Sequence, residues 1–240
     1  MPIADTTLLV PSEEQSLFAR RIVVTAPRNY ALRFAQAILN RGGLPILMPT
    51  IETTLLSNYA ALDAALRARQ KLGWIAFTSR NGIESVLHRC EALGLPISAL
   101  NDCRLAAIGR DAERLSELGL HVDLLPAEPS PRGIVDELGQ LPDIAGQTIL
   151  VPAPLVEGTP EPDIIPNFVA GLERIGMQII RVPAYRTRVL DRARYRVELD
   201  RIRQGEIDAI AFSSAAEVAG FLAMIDSPAD YCHSAICCFG

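Results

Sequence analysis

The sequence contains almost no lysine and few aromatic residues. Lys71 is its only lysine, and all other formal cations are arginine, whose planar guanidinium suits carboxylate recognition. A compositional bias of the genome is the alternative explanation. Aromatic residues make up 5% of the chain, so aliphatic side chains and alanine must form the core. The net charge of −5 lacks the general basic field of nucleic-acid binders, although local groups could still bind a small anion.

Patterns typical of metal sites, disulfide frameworks and membrane spans are also missing. No C-x-x-C pair occurs, and the three histidines are scattered, so we predict no metal site. No apolar run reaches transmembrane length and no secretory signal is visible, which predicts no membrane partner and a cytoplasmic protein. The cysteines are predicted to be core residues with free thiols in a reducing compartment. They are Cys90, Cys103, Cys232, Cys237 and Cys238.

The most informative feature is a stretch that occurs twice. Residues 74–87 (WIAFTSRNGIESVL) match residues 209–222 (AIAFSSAAEVAGFL) in constant register, with Ser79 opposite Ser214. Each copy predicts a buried strand, a turn carrying hydroxyls and a helix. Such a turn directs free backbone N–H groups and the positive end of a helix at a ligand. Two such turns facing each other would bind a ligand with several carboxylates.

The duplication extends beyond these stretches. Residues 149–154 (ILVPAP) echo residues 22–27 (IVVTAP), and proline-bearing segments around Pro49 and Pro183 occupy equivalent places. Alternating strands and helices predict an α/β protein with two mostly parallel sheets. Because proline cannot donate to a sheet ladder, we predict that the two proline-bearing segments are edge or connecting strands that pair between the domains.

Several local predictions depend on composition alone. Residues 1–20 are predicted to be a poorly ordered tail. A helix over residues 30–41 should bury one face made of Leu32, Ala35, Ile38 and Leu39, and residues 122–125 should form a strand. The chain stops on Gly240, at a point where the first half leads into a helix, so we expect the natural chain to continue.

Four motifs in order resemble the uroporphyrinogen-III synthase family. They are Phe77-Thr-Ser-Arg-Asn-Gly-Ile83, Ala107-Ile-Gly109, Tyr185-Arg-Thr187 and Phe212-Ser-Ser-Ala215. Each motif alone is common, whereas their order, spacing and duplication are specific. The resemblance runs from Arg21 to the last residue.

The resemblance implies two doubly wound, flavodoxin-like domains joined by a two-stranded β connector, with a cleft between them. Residues 21–48 and 188–240 would form one domain, and residues 54–180 the other. The activity implied is a cofactor-free lyase reaction of tetrapyrrole biosynthesis. It cyclises hydroxymethylbilane to uroporphyrinogen III with inversion of the last pyrrole ring and loss of water. A monomer in transient contact with the enzyme that supplies the bilane is expected. The alternative is a two-lobed module that binds a small anionic ligand without chemistry.

The resemblance also implies the site residues. Tyr185 would assist departure of the hydroxyl, or alternatively fill a hinge as an amphipathic residue. The substrate-binding candidates share positions at strand ends, and their alternative roles are helix capping, tight turns and solvated surface charge. They are Thr25, Arg28, Thr78, Ser79, Arg80, Asn81, Gly109, Ser130, Ser213, Ser214 and Ala215. Gly240 would be the partner of Gly109. Ala112 and the stretch 151–154 lack a threonine and an arginine that relatives carry, so two carboxylate contacts are not expected.

Overall fold

The computed structural model describes residues 13–238. Its strands are β1 Arg21–Val24, β2 Leu44–Leu47, β3 Ile51–Thr54, β4 Trp74–Phe77, β5 Arg104–Ala107, β6 Thr148–Glu157, β7 Gln178–Val189, β8 Ala209–Phe212 and β9 Ala235–Cys238. Its α-helices are α1 Arg28–Leu39, α2 Ala60–Arg67, α3 Arg80–Ala92, α4 Arg110–Glu117, α5 Pro131–Leu138, α6 Ile164–Arg174, α7 Arg196–Arg203 and α8 Ala215–Leu222.

The chain folds as two compact units. Unit 1 contains Met1–Glu52, Glu157–Glu161 and Arg188–Gly240, and unit 2 contains Thr53–Val156 and Pro162–Thr187. Each unit combines a largely parallel sheet with helices, which confirms the predicted α/β class. The domain boundaries predicted from the sequence, with residues 21–48 and 188–240 in one domain and 54–180 in the other, remain a proposal.

Unit 1 is built on a four-stranded sheet of order β2-β1-β8-β9, in which all neighbouring pairs are parallel. Successive residues of a strand point to opposite faces. Val24 therefore packs on one side with Ile38 of α1, and Val23 packs on the other with Phe221 of α8. Burial on both faces explains why β1 and β8 are continuous apolar runs.

Asp208, just before β8, anchors the start of β1. Its carboxyl group accepts hydrogen bonds from the Arg21 backbone N–H at 2.8 Å and from Arg20 Nη1 at 2.7 Å. These contacts, the backbone one foremost, lower the pKa of Asp208. Because the folded pKa lies below the unfolded value of about 3.9, the contribution is present above that pH and is lost as the pH falls through the folded pKa.

We expect Asp208→Asn to lower the free energy of unfolding by about 1 kcal/mol at pH 7, with the difference shrinking as the pH falls below the unfolded pKa of about 3.9. Urea denaturation across that range measures both effects. Asp200→Asn is the control, since the Asp200 side chain is 62% exposed in its ion pair with Arg203. An effect of Asp208→Asn that is constant with pH would contradict the assignment.

Unit 2 is built on a five-stranded sheet of order β3-β7-β6-β4-β5. Strand β4 is parallel to both β5 and β6 and is buried throughout. Ile75 packs with Ile83 of α3 on one face, while Trp74 packs with Phe168 of α6 on the other. Since β4 and β5 are parallel neighbours, the turns that follow them lie at the same edge of the sheet.

The buried face of α1 differs from the prediction. Ala35 and Ile38 are buried, but Leu32 is 68% exposed and Leu39 46% exposed. The buried stripe is completed instead by Ala31. A helix turns by about 100° per residue, so Leu32 and Leu39 lie one position beyond that stripe.

Two strand predictions also need correction. Residues 122–125 form no strand, because only an isolated bridge joins Leu124 to Ala106. The segment around Pro49 forms two short strands, β2 and β3, each at the edge of a different sheet. Pro49 lies between them and lacks the N–H that a continuous ladder would use. The edge position was thus predicted correctly for this segment only. Strand β7, which carries Pro183, lies next to β3 but inside the sheet, between β3 and β6.

The cysteines are all free, but only two of them are core residues. Cys90 and Cys103 are buried, whereas Cys232, Cys237 and Cys238 are exposed. The prediction of a core position is therefore wrong for the last three. Cys237 and Cys238 lie on β9, an edge strand on which all four residues are exposed.

We expect these cysteines to differ in reactivity. Burial raises the pKa of Cys103 to about 11, and its Sγ donates to the Arg69 carbonyl oxygen at 3.2 Å. Burial also raises the pKa of Cys90. Since the thiolate is the nucleophile, an aromatic disulfide reagent at about pH 8 should modify only the three exposed thiols of the native protein. All five should react after unfolding, and equal rates in the native protein would contradict this.

Two further predictions concern the N-terminal tail and Gly240. Of the predicted tail, residues 1–12 lie outside the described residues, while the Leu17 and Ala19 backbone N–H groups donate to the carbonyl oxygens of Arg41 and Gly42. Gly240 also lies outside the described residues, so its pairing with Gly109 stays a prediction. Between residues 13 and 238, no helix is both long enough and apolar enough to cross a membrane.

Candidate functional site

The first hydroxyl turn joins β4 to α3 and brings two predicted site residues together. Ser79 is the N-cap of α3, and its Oγ accepts a hydrogen bond from the Gly82 backbone N–H at 3.2 Å. The same Oγ lies 2.9 Å from the hydroxyl oxygen of Tyr185 on β7, and either atom can be the donor. Tyr185 is only 8% exposed. Strand β7 thus holds the phenol against a helix N-terminus.

The neighbouring residues of this turn carry charge and polar groups. Thr78, Arg80 and Asn81 are all half-buried. Arg80 Nε lies 3.9 Å from Glu84 Oε1, one turn further along α3. The predicted binding residues of this turn are therefore neighbours around the N-terminus of α3, and substrate contact for each remains a proposal.

Asp111, at the start of α4, is an acidic group that sequence reasoning missed. Burial raises the pKa of its carboxyl group, and the nearby Glu84 adds to this, while Arg80 opposes it. A carboxyl group at the beginning of a helix is normally stabilised in its charged form. The departure from that rule marks this edge of unit 2 as partly shielded from water. The signal in the sequence was an acid two residues beyond Gly109.

Gly109 ends β5 in a conformation that suits glycine. Its φ of 52° and ψ of −128° lie where other residues are strained, and it is the N-cap of α4. The tight turn predicted at this position is therefore present. Ala112, where the family resemblance leads one to expect a threonine, is buried at 6% exposure and supplies no hydroxyl.

Ser130 caps α5 but already engages a carboxyl group of the protein. Its Oγ accepts from the Gly133 backbone N–H at 3.0 Å and donates to Glu128 Oε1 at 2.7 Å. A cavity of about 600 Å³ lies beside this cap, with Arg132 and Arg174 among its lining residues. The two guanidinium groups could attract an anion, although Arg132 Nε also lies 3.5 Å from Asp136.

The second hydroxyl turn, in unit 1, is organised differently. Ser214 caps α8 and accepts from the Glu217 backbone N–H at 3.3 Å. The Glu217 carboxyl group accepts from Thr25 Oγ1 at 2.9 Å, from the Ser213 backbone N–H at 2.8 Å, and from both serine hydroxyls. Ala215 is exposed at the start of α8. The structure thus joins three predicted binding residues through a fourth residue that was not predicted.

Arg28 has a protein partner as well. It is the first residue of α1 and is exposed, and its positive charge lies close enough to the hydroxyl of Tyr195 to oppose the rise in the pKa of that phenol. Tyr195 is 7% exposed, and burial raises its pKa, with Arg28 and Arg194 opposing. A carboxylate bound by Arg28 would therefore lie near the Tyr195 phenol.

Chemically, the two units offer different groups. Unit 2 presents a phenol and a serine hydroxyl in contact, next to a guanidinium and the first N–H groups of α3. This set can donate hydrogen bonds to a hydroxyl or a carboxylate. Unit 1 presents hydroxyls that already donate to the protein's own carboxyl group.

Comparison with known proteins gives a consistent result. A family model described as Uroporphyrinogen-III synthase HemD matches residues 33–240. A uroporphyrinogen-III synthase of Synechococcus elongatus is 28% identical over 219 residues, covering 89% of this chain and 78% of that protein. Porphyrin biosynthesis protein HemD of Ruminiclostridium josui is 28% identical over 221 residues, covering 90% of this chain but 41% of that protein.

A solved structure shares the fold. A mutant uroporphyrinogen III synthase from Thermus thermophilus superposes with a TM-score of 0.66 at 18% identity, covering 92% of this chain and 85% of that one. The family match extends over most of the chain, and the four sequence motifs lie within the matched residues. The chain therefore belongs to the uroporphyrinogen-III synthase family, the lyases of tetrapyrrole biosynthesis that cyclise hydroxymethylbilane.

Proposed function

We propose that this chain closes hydroxymethylbilane to uroporphyrinogen III with Tyr185 and Ser79 at the departing hydroxyl. The observation that carries this proposal is the 2.9 Å contact between the two hydroxyl oxygens at the N-terminus of α3. A nearly buried phenol held by a serine is a well-oriented hydrogen-bond donor. Its partner Ser79 is itself fixed by the backbone N–H of Gly82.

The first chemical step is loss of water from the hydroxymethyl group. The carbon–oxygen bond breaks, the oxygen leaves with an added proton, and the pyrrole nitrogen lone pair stabilises the carbon as an azafulvenium cation. Tyr185 would donate its hydrogen bond to the leaving oxygen, while a Ser79 hydroxyl directed at the phenol oxygen would support that donation. Partial protonation of a leaving group by a positioned donor accelerates such steps by about 100-fold or more.

The second step is ring closure with the correct geometry. The bilane can lose its hydroxyl and close without the enzyme to give the other isomer, so the enzyme must direct the substituted carbon of the last ring to the cation. Since that carbon carries no hydrogen, its earlier bond to the neighbouring bridge carbon breaks and leaves a second azafulvenium cation. This bridge carbon then bonds to the free α-carbon of the turned ring, which loses its proton to solvent and restores the pyrrole, balancing the proton taken up in the first step. Holding reacting ends in one arrangement can contribute about 7–11 kcal/mol. Positioning, rather than a strong catalytic group, would therefore provide most of the selectivity.

The acidic arms of the bilane give the protein its points of attachment. In unit 2, Arg80 and the N-terminal backbone of α3, which includes Asn81, are suited to carboxylates. Thr78 and the Gly109 turn lie at the same edge of the sheet, since β4 and β5 are parallel. Arg28 and the α8 N-terminus at Ala215 are the corresponding candidates in unit 1. These contacts are part of the proposal.

The setting of the reaction is proposed on the same grounds. Five unpaired cysteines fit a reducing compartment, so we place the reaction in the cytoplasm. We expect a monomer that needs no cofactor for a dehydration and ring closure, and that contacts the enzyme supplying the bilane only transiently.

The decisive test supplies freshly generated hydroxymethylbilane and separates the product isomers after oxidation to porphyrins. Uroporphyrinogen III should form faster than the spontaneous isomer and in proportion to enzyme concentration. If only the spontaneous isomer forms, the enzyme proposal fails. Binding of the bilane without turnover would instead favour the alternative, a two-lobed module for an anionic ligand.

A further inference from the structure

Glu217 fills the hydroxyl turn of unit 1 with the protein's own carboxyl group. This residue is 1% exposed, and both of its carboxyl oxygens are hydrogen-bonded. Oε2 accepts from the Ser213 backbone N–H and lies 2.9 Å from Thr25 Oγ1, whose single proton is shared with the Ala211 carbonyl oxygen at 2.8 Å. Oε1 accepts from the hydroxyls of Ser213 and Ser214. A buried carboxyl group is stable only when it is satisfied in this way.

The backbone of Glu217 is fixed as firmly as its side chain. Its N–H donates to Ser214 Oγ at 3.3 Å, and its carbonyl oxygen accepts from Thr50 Oγ1 at 2.9 Å. Thr50 itself is fully buried. Glu217 therefore connects the ends of β1 and β8 with the segment that follows β2, all within unit 1.

The two copies of the duplicated stretch differ at this position. Ser79 corresponds to Ser214, so Glu217 corresponds to Gly82. A Cβ atom on Gly82 would lie 3.3 Å from the Pro152 carbonyl oxygen, a tight contact. The first turn therefore has neither a side chain at this position nor easy space for one, and its serine contacts Tyr185 instead.

Chemistry distinguishes the two turns for an acidic ligand. A carboxylate only accepts hydrogen bonds, and a serine hydroxyl has one proton to give. The hydroxyl protons of Ser213 and Ser214 are directed at Glu217. The glutamate side chain beyond Cα is itself a propionate group, the same group that the bilane carries on its arms. A substrate arm could use these hydroxyls only by displacing Glu217.

We propose that Glu217 is a positioning residue that keeps the second hydroxyl turn filled, so that the serine hydroxyls of that turn are not available to the substrate and only the first turn uses its serine hydroxyl in the reaction. The part of this inference that concerns the substrate rests on the proposed function. The sequence-based role of Thr25, Ser213 and Ser214 thereby changes from binding a ligand to holding Glu217. Unit 1 would contact the substrate through backbone N–H groups and Arg28.

Chemical rescue tests the filled turn without any assay of activity. Glu217→Ala removes the groups beyond Cβ and leaves space for one acetate ion. We expect its unfolding midpoint to fall by about 5 °C or more. About 100 mM acetate should then raise the midpoint by about 2 °C more than chloride of equal ionic strength does.

Two variants serve as controls for the rescue. Glu217→Gln keeps the turn filled with an amide, so acetate should raise its unfolding midpoint no more than it raises that of wild type. Glu128→Ala removes another carboxyl group that accepts from a capping serine, but Glu128 is exposed, so water replaces it and no acetate effect is expected. If Glu217→Ala does not fold in chloride, refolding in acetate and in chloride is compared. Recovery in acetate alone supports the proposal, and absence of any acetate effect overturns it.

Kinetic measurements test the part of the proposal that concerns the substrate. We expect Ser79→Ala to lower kcat/KM for hydroxymethylbilane about fivefold or more, and Ser213→Ala to lower it by a clearly smaller factor. Ser213→Ala should instead lower the unfolding midpoint in wild type and much less in the Glu217→Ala background. An equal or larger loss of kcat/KM in Ser213→Ala would overturn the proposal. If wild type makes no uroporphyrinogen III, the proposed function fails while the acetate result still stands.

Discussion

Replacing Tyr185 by phenylalanine is expected to lower kcat about 100-fold while the protein keeps its fold. The ring of Tyr185 is packed in the apolar core of unit 2, and phenylalanine preserves that packing. Only the hydroxyl that contacts Ser79 is lost. Because the proposed role is hydrogen-bond donation to the leaving oxygen, KM should change much less than kcat. Single-turnover assays that separate the two uroporphyrinogen isomers measure the effect.

Tyr59 offers a matched control for this experiment. It belongs to the same apolar cluster, is also 8% exposed, and its hydroxyl accepts from the Leu56 backbone N–H at 3.0 Å. Tyr59→Phe should therefore cost a similar amount of stability and leave kcat near wild type. Unaltered turnover in Tyr185→Phe would remove the phenol from the mechanism. A loss of kcat in both variants would indicate a packing effect instead.

Replacing Gly133 by alanine is expected to lower the free energy of unfolding by about 3 kcal/mol. A Cβ atom at this position in α5 would lie 2.2 Å from the Glu128 carbonyl oxygen, which belongs to the backbone and cannot rotate away. The turn must therefore shift, and with it the cap that Ser130 forms. Urea denaturation of the two proteins measures the difference.

Gly73→Ala separates this clash from the general effect of adding a methyl group. Its Cβ atom would meet Gln147 Oε1 at 2.7 Å, but this atom ends a flexible side chain that can move. We expect a cost below about 1 kcal/mol for that variant. Equal stability losses for the two variants would show that the backbone contact at Gly133 is not decisive.

The sequence predicted the parts of the fold that depend on short-range pattern. Strands β4 and β8 were expected from apolar runs that end in hydroxyls, and Ser79 and Ser214 cap the following helices as predicted. The family and its lyase activity, expected from four motifs in order, are confirmed by the family match. Periodicity and capping are local properties, so a single sequence suffices to identify them.

What failed depends on tertiary context. Two of the four residues predicted for the buried stripe of α1 are exposed, because its apolar residues occupy more than one face and only packing selects among them. Cys237 and Cys238 were expected inside because their run is apolar, yet β9 lies at a sheet edge. An apolar run predicts a strand but not its place in the sheet order.

Glu217 is the most instructive omission. The sequence Ser214-Ala-Ala-Glu217 has the spacing of a capping box, in which a glutamate reaches back to the start of its helix. This signal could have identified Glu217, because the spacing occurs in the second copy and not in the first, which has glycine at the corresponding position. What no local pattern could predict is the contribution of Thr25 from a distant strand.

Unit 1 combines an early and a late segment of the sequence, and this has a consequence for folding during synthesis. Strand β1, near the start, pairs with β8, so Val23 lies opposite Ile210. As a nascent chain leaves the ribosome, nearly all of unit 2 can assemble before β8 has been synthesised. Until then, β1 lacks this neighbour in the sheet of unit 1. During translation, the early segment therefore exposes an apolar strand edge that chaperones could bind. Mutations that slow release of the finished polypeptide should increase aggregation through this segment rather than through the middle of the gene product.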